Sequence, residues 1–88
     1  MIRREVVILN ELGVHARPAA RIVKAASLRK ASLWIEKDGE RVNGKSIMGV
    51  MMLAAEKGSS IVLEADGEDE EELIEEIVKL IYDKFNED

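Results

Sequence analysis

The chain has no cysteine, one histidine and one proline in 88 residues. Without cysteine there is neither a disulfide framework nor a thiolate metal site. A single histidine leaves no second imidazole to complete a metal centre, so no metal and no cofactor are expected. Near the start the only apolar run is Val6 to Leu9, too short for the core of a signal peptide. No segment approaches the roughly 20 apolar residues of a membrane span. A soluble protein that is not exported and not inserted in a membrane is the expectation. Also missing are paired carboxylates, a nucleophile beside its base and a glycine-rich phosphate loop, the usual equipment of a stand-alone enzyme.

The formal net charge is −5, which argues against nucleic acid as the main partner. The charge is uneven. Residues 64–76 carry acids and no base, whereas residues 15–30 carry Arg17, Arg21, Lys24, Arg29 and Lys30 and no acid. The acidic run is read as helix-start charge and solubility.

The length sets one domain, residues 1–88. Glu5 to Asn10 reads as a short β-branched strand. A loop over 10–14 then leads into a helix over about 16–28, with Ala19, Ile22, Val23 and Ala26 on one face. Ser32 to Lys37 alternates as a strand. Asp38-Gly39 supports a type I′ hairpin turn, and Arg41-Val42 begins the return strand. Ser46 is a good N-cap for a short helix over about 47–54, with Val50, Leu53 and Ala54 available to the core. Ser60 to Ala65 is a fourth strand, and a last helix spans about Asp69 to Lys84. The order is β-α-β-β-α-β-α. The expected class is α+β, an open-faced sandwich with a four-stranded antiparallel sheet and three helices on one face.

Two places carry chemistry. The lone histidine and the lone proline stand together in Gly13-Val14-His15-Ala16-Arg17-Pro18-Ala19-Ala20. His15 falls at the cap of the first helix, and Pro18 in its first turn, where a missing N–H costs little. A helix start offers free amides and partial positive charge to an anion, and Arg17 adds a fixed one. A neutral imidazole there is a nucleophile near neutral pH. That combination suggests transient phosphorylation of His15; the plainer alternative is an ordinary capping or surface histidine.

The second place is Ser46-Ile47-Met48-Gly49-Val50-Met51-Met52-Leu53, a short helix apolar on all sides. It is either buried throughout or a docking patch formed by Ile47, Met48, Met51 and Met52. The stripe Arg17, Arg21, Lys24 is either a solvated helix face or the basic rim of that patch. A phosphoryl group on Ser46 would keep the cap and place about −2 charge beside the apolar residues.

The segment Gly13 to Ala20 resembles the active-site signature of HPr, the histidine-containing phosphocarrier of the bacterial sugar phosphotransferase system. Gly44-Lys45-Ser46-Ile47-Met48-Gly49-Val50-Met51 is similar to the same family's regulatory serine segment. The resemblance spans essentially the whole chain. It implies a cytoplasmic phosphoryl carrier, likened to a protein substrate rather than an enzyme. His15 would take the group on Nδ1 from phospho-enzyme I and pass it to enzyme IIA domains of sugar permeases. Arg17 and the amides at Ala16 and Arg17 would hold the phosphoryl oxygens, and Ile47, Met48 and Met51 would dock both partners. Ser46 would be the target of HPr kinase/phosphorylase, and its phosphorylated form would bind a catabolite-control repressor. A monomer is expected. Leu12 and Met52 depart from many sugar-branch members, and the alternative is a nitrogen-branch or regulatory paralogue acting mainly through protein binding.

Overall fold

The structure is a computed structural model and describes residues 1–87. Four strands, β1 (Ile2–Val7), β2 (Ser32–Lys37), β3 (Glu40–Asn43) and β4 (Ser60–Asp66), form one antiparallel sheet. Its order is β1-β4-β2-β3. Three helices, α1 (Ala16–Ser27), α2 (Ile47–Met52) and α3 (Glu70–Tyr82), connect and follow the strands in the expected β-α-β-β-α-β-α order.

Strand alternation decides the two faces of the sheet. Val6 and Ile8, Leu33 and Ile35, and Ile61, Leu63 and Ala65 are buried, and they meet Ala19, Ile22 and Ala26 of α1 and Leu73, Ile74, Ile77 and Ile81 of α3. On the other face Glu64 lies opposite Arg3 and Trp34. Its carboxylate accepts hydrogen bonds from Arg3 Nη1 (2.6 Å) and Arg41 Nη2 (3.0 Å), while the Arg41 guanidinium stacks 4.8 Å from the Trp34 ring. Glu64 is thus a buried carboxylate roofed by two cations on the helix-free face, as a buried charge requires. The hairpin turn is the predicted type, with φ of 52° at Asp38 and 83° at Gly39.

Several boundaries differ from the sequence reading; β3 begins one residue earlier, at Glu40, β4 runs one residue further, to Asp66, and α3 begins at Glu70. β1 starts at Ile2 and ends at Val7, because its register is fixed by β4, from Ile2 opposite Ala65 to Val7 opposite Ser60. Ile8 still exchanges backbone bonds with the loop, donating to Ser59 O and accepting from Gly58 N–H. α1 stops one residue early, at Ser27. α2 ends at Met52; Ala54 turns the chain at φ 50° and faces solvent, and Ala55 takes the core position instead. α3 ends at Tyr82. Lys84, Phe85 and Asn86 then all adopt left-handed backbone, φ 55°, 55° and 59°. That turn folds the tail back and buries Phe85 completely. Burial of a phenylalanine side chain contributes about 1.5–3 kcal/mol, which offsets part of the left-handed strain.

Candidate functional site

Gly13 sets the site. Its φ is 68°, and a Cβ there would meet Ala55 O at 2.4 Å and Glu56 Cα at 2.9 Å. Only glycine takes this backbone at this distance without displacement. The close approach lets Val14 N–H donate to Ala55 O at 2.8 Å, which ties the entry of α1 to the loop after α2.

His15 follows as the N-cap residue, with extended backbone (φ −91°, ψ −162°) and its carbonyl accepting from Ala19 N–H. Its side chain does not cap the helix. The ring turns outward instead, 38% exposed, with Nε2 3.0 Å from Glu87 Oε2. Among the described residues nothing bonds Nδ1, and the amides of Ala16 and Arg17 find no acceptor. An imidazole nitrogen therefore stands at a helix start beside free N–H donors.

Arg17 is exposed and makes no hydrogen bond or ion pair among the described residues. With Glu11, Leu12, Arg21, Asn86 and Glu87 it lines a depression of about 320 Å³. On the rim, a hydrogen bond from Lys57 and its charge hold the Glu11 carboxyl below the usual range. Arg21 is half-buried and donates from Nη1 to Phe85 O at 2.6 Å, so it straps the tail; Lys24 remains exposed.

Ser46 is the N-cap of α2, and its Oγ accepts from Gly49 N–H at 3.1 Å. Val50 and Leu53 face the core. Ile47, Met48, Met51 and Met52 are 40–72% exposed, so this helix is a surface patch and not a buried element. α1 packs against α2, which brings the two sequence motifs to neighbouring positions on the surface.

Two residues at the site have no counterpart in the sequence reading. Glu87 bonds His15 through one carboxylate oxygen, and its Oε1 accepts from Asn10 Nδ2 at 3.1 Å. Asn10 is fully buried and also donates to Gly13 O at 2.7 Å. An acid in a polar tail carries no periodicity or spacing signal. An asparagine in a loop reads as turn chemistry. Only the left-handed turn at 84–86 brings the two together.

Comparison with known proteins bears on this arrangement. The family PTS-HPr, described as "PTS HPr component phosphorylation site", matches residues 2–83. The phosphocarrier protein HPr of Neisseria meningitidis serogroup A is 47% identical over 87 residues, 99% of this chain and 98% of that protein. A crystal structure of HPr from Thermoanaerobacter tengcongensis is 46% identical, with a TM-score of 0.96 over 100% of this chain and 99% of its own. A second structure from that organism is an HPr dimer, 47% identical, with a TM-score of 0.79 over 99% of this chain and 100% of its own. The HPr-like protein Crh of Bacillus subtilis is 39% identical over 84 residues, 96% of this chain and 99% of that protein.

Proposed function

The chain belongs to the HPr family of the phosphotransferase system, and from that premise we propose that it carries a phosphoryl group on His15. The donor in this reading is phospho-enzyme I, and the acceptors are enzyme IIA domains of sugar permeases in the cytoplasm. One observation carries it: a solvent-exposed imidazole stands at the start of α1, where, among the described residues, its Nδ1, two amides and the Arg17 guanidinium have no protein partner.

The chemistry follows from that geometry. The Nδ1 lone pair attacks phosphorus, and the bond from phosphorus to the donor breaks with its electron pair left on the donor. The dianionic group then lies against the Ala16 and Arg17 amides, with Arg17 free to close on it. A helix start offers an anion about 0.3–2 kcal/mol, enough to orient the group and too little to trap it. A carrier needs that balance, since the same group must leave again. The protein acts as a substrate of phosphotransferases and not as an enzyme. Every group named comes from one chain, so the site is complete in a monomer.

Docking of both partners falls to the exposed patch Ile47, Met48, Met51 and Met52, rimmed by Arg17, Arg21 and Lys24. Flexible methionines suit a surface that fits more than one protein. Ser46 is proposed as the regulatory site of an HPr kinase/phosphorylase. Phosphate on Ser46 Oγ keeps an acceptor for Gly49 N–H and sets charge at the edge of the patch, hindering an acidic partner and offering a mark to a catabolite-control repressor.

Similarity to Crh, the catabolite-repression HPr of Bacillus subtilis, favours one second reading, a regulatory paralogue acting mainly through protein binding. Phosphoryl transfer from phosphoenolpyruvate through purified enzyme I separates the two. One acid-labile phosphate by intact mass on the parent, and none on His15→Ala, supports the carrier. No phosphate on a folded parent, with enzyme I of either branch, leaves the binding module.

A further inference from the structure

We propose that Glu87 is a positioning residue for the phosphoryl-accepting histidine, an inference that rests on the reading of His15 just given. Both carboxylate oxygens are engaged, Oε2 with His15 Nε2 at 3.0 Å and Oε1 with Asn10 Nδ2 at 3.1 Å. The carboxylate is delivered by a built tail. Phe85 is buried in the core, its carbonyl is held by Arg21 at 2.6 Å, and three successive left-handed residues aim Glu87 back at the start of α1. Asn10 also holds Gly13 O, so one buried amide group fixes the orienting acid and the loop that carries the histidine.

The consequence is chemical. A carboxylate only accepts hydrogen bonds, so Nε2 must carry the ring proton. That assigns the lone pair to Nδ1, the nitrogen without a hydrogen bond among the described residues. When Nδ1 bonds to phosphorus and the donor bond breaks, the ring becomes cationic while keeping its Nε2 proton. The new charge then lies 3.0 Å from the Glu87 carboxylate. No proton has to leave during the transfer. Glu87 therefore selects which nitrogen reacts and stabilises the charge formed there, the two services that a buried aspartate renders to the histidine of a serine-protease triad.

The test reads the ring directly. Long-range nitrogen–proton NMR of His15 at a pH where the ring is neutral reports which nitrogen is protonated, and enzyme I transfer kinetics are measured on the same samples. The parent is expected to show the Nε2–H form alone. Glu87→Ala is expected to show a mixture of both tautomers and a transfer rate about tenfold lower, the scale of one hydrogen bond to a charged group. Glu87→Gln offers one acceptor oxygen to the two donors Asn10 Nδ2 and His15 Nε2–H, so it restores the Nε2–H tautomer and the rate only in part. Unchanged melting of all three excludes a merely structural effect. An unchanged tautomer in Glu87→Ala overturns the proposal, as does a changed tautomer with an unchanged rate. A parent that takes no phosphate overturns the carrier reading itself, and the ring spectrum of the unphosphorylated protein keeps that failure distinct from this one.

Discussion

Gly13→Ala is the most informative single change, because its cost separates into parts that the structure identifies. Alanine at φ 68° occupies the left-handed region, at about 1–2 kcal/mol. The added Cβ would meet Ala55 O at 2.4 Å, which is backbone and cannot rotate away. Relief requires the loop after α2 to move, and the bond from Val14 N–H to that oxygen is then strained or lost. Val14 is buried, so an unsatisfied amide adds about 1–3 kcal/mol. The sum is about 2–5 kcal/mol, a large share of the stability of a small domain but compatible with a folded protein. Gly39→Ala is the control. Its φ is 83°, yet nothing lies within 4 Å of the new Cβ, so only the backbone term of about 1–2 kcal/mol applies. Urea denaturation of both variants gives the two costs. Gly13→Ala should exceed Gly39→Ala by at least 1 kcal/mol. It should also slow phosphorylation, since His15 N–H is held by Gly13 O. Equal denaturation midpoints for the two variants would refute the role assigned to the Gly13–Ala55 contact.

Phe85→Ala should cost about 3–5 kcal/mol for the cavity left in the core, and should also abolish the His15–Glu87 bond; a melt and the ring spectrum of His15 check both effects. Ser46→Ala removes the cap of α2 and should cost about 0.5–2 kcal/mol in urea denaturation. Ser46→Asp keeps an acceptor and should stay close to the parent in stability while slowing transfer from enzyme I; unchanged transfer counts against α2 as the docking surface. Asp69 gives a pH dependence. Backbone N–H groups of Lys30 and Ala31 bond its carboxylate and hold its pKa below the ordinary 3.8. The folded state therefore releases this proton more readily than the unfolded chain does. The stabilisation is complete above the unfolded value and is lost as pH falls through the lower folded one. Asp69→Ala should melt lower than the parent at neutral pH, with the gap narrowing in strong acid; a constant gap would contradict the linkage.

Much of this was legible from residues alone, because the local signals agreed with one another. Asp38-Gly39 could hardly be anything but a tight turn, Ser46 acted as the cap its chemistry allows, and the apolar stripe of α3 found the core. The patch of α2 was legible as a choice between burial and exposure, and packing against β3 and α1 left its methionines outside. What was not legible was settled by distant partners. The register of β1 belongs to β4, roughly sixty positions along the chain. Ala54 and Ala55 are the same residue type, and only the left-handed turn at Ala54 decides which is buried. Continuing α3 to Lys84 is what the periodicity favours, yet burial of Phe85 overrides it and sends Glu87 to the histidine.

The sheet order also bears on how the chain is made. Among the described residues β1 pairs in the sheet with β4 alone, whose residues are synthesised more than fifty positions later. Phe85, which completes the core, comes later still. A nascent chain emerging from the ribosome thus holds its first strand without a mate for most of translation, and no amino-terminal portion encloses an interior of its own. Vectorial synthesis gives this protein no stepwise route, so its folding is a single late event that waits on the last helix and its tail. Ribosome-stalled chains ending before residue 60 should be as sensitive to protease as an unstructured peptide, and resistance should rise sharply only once Phe85 has emerged.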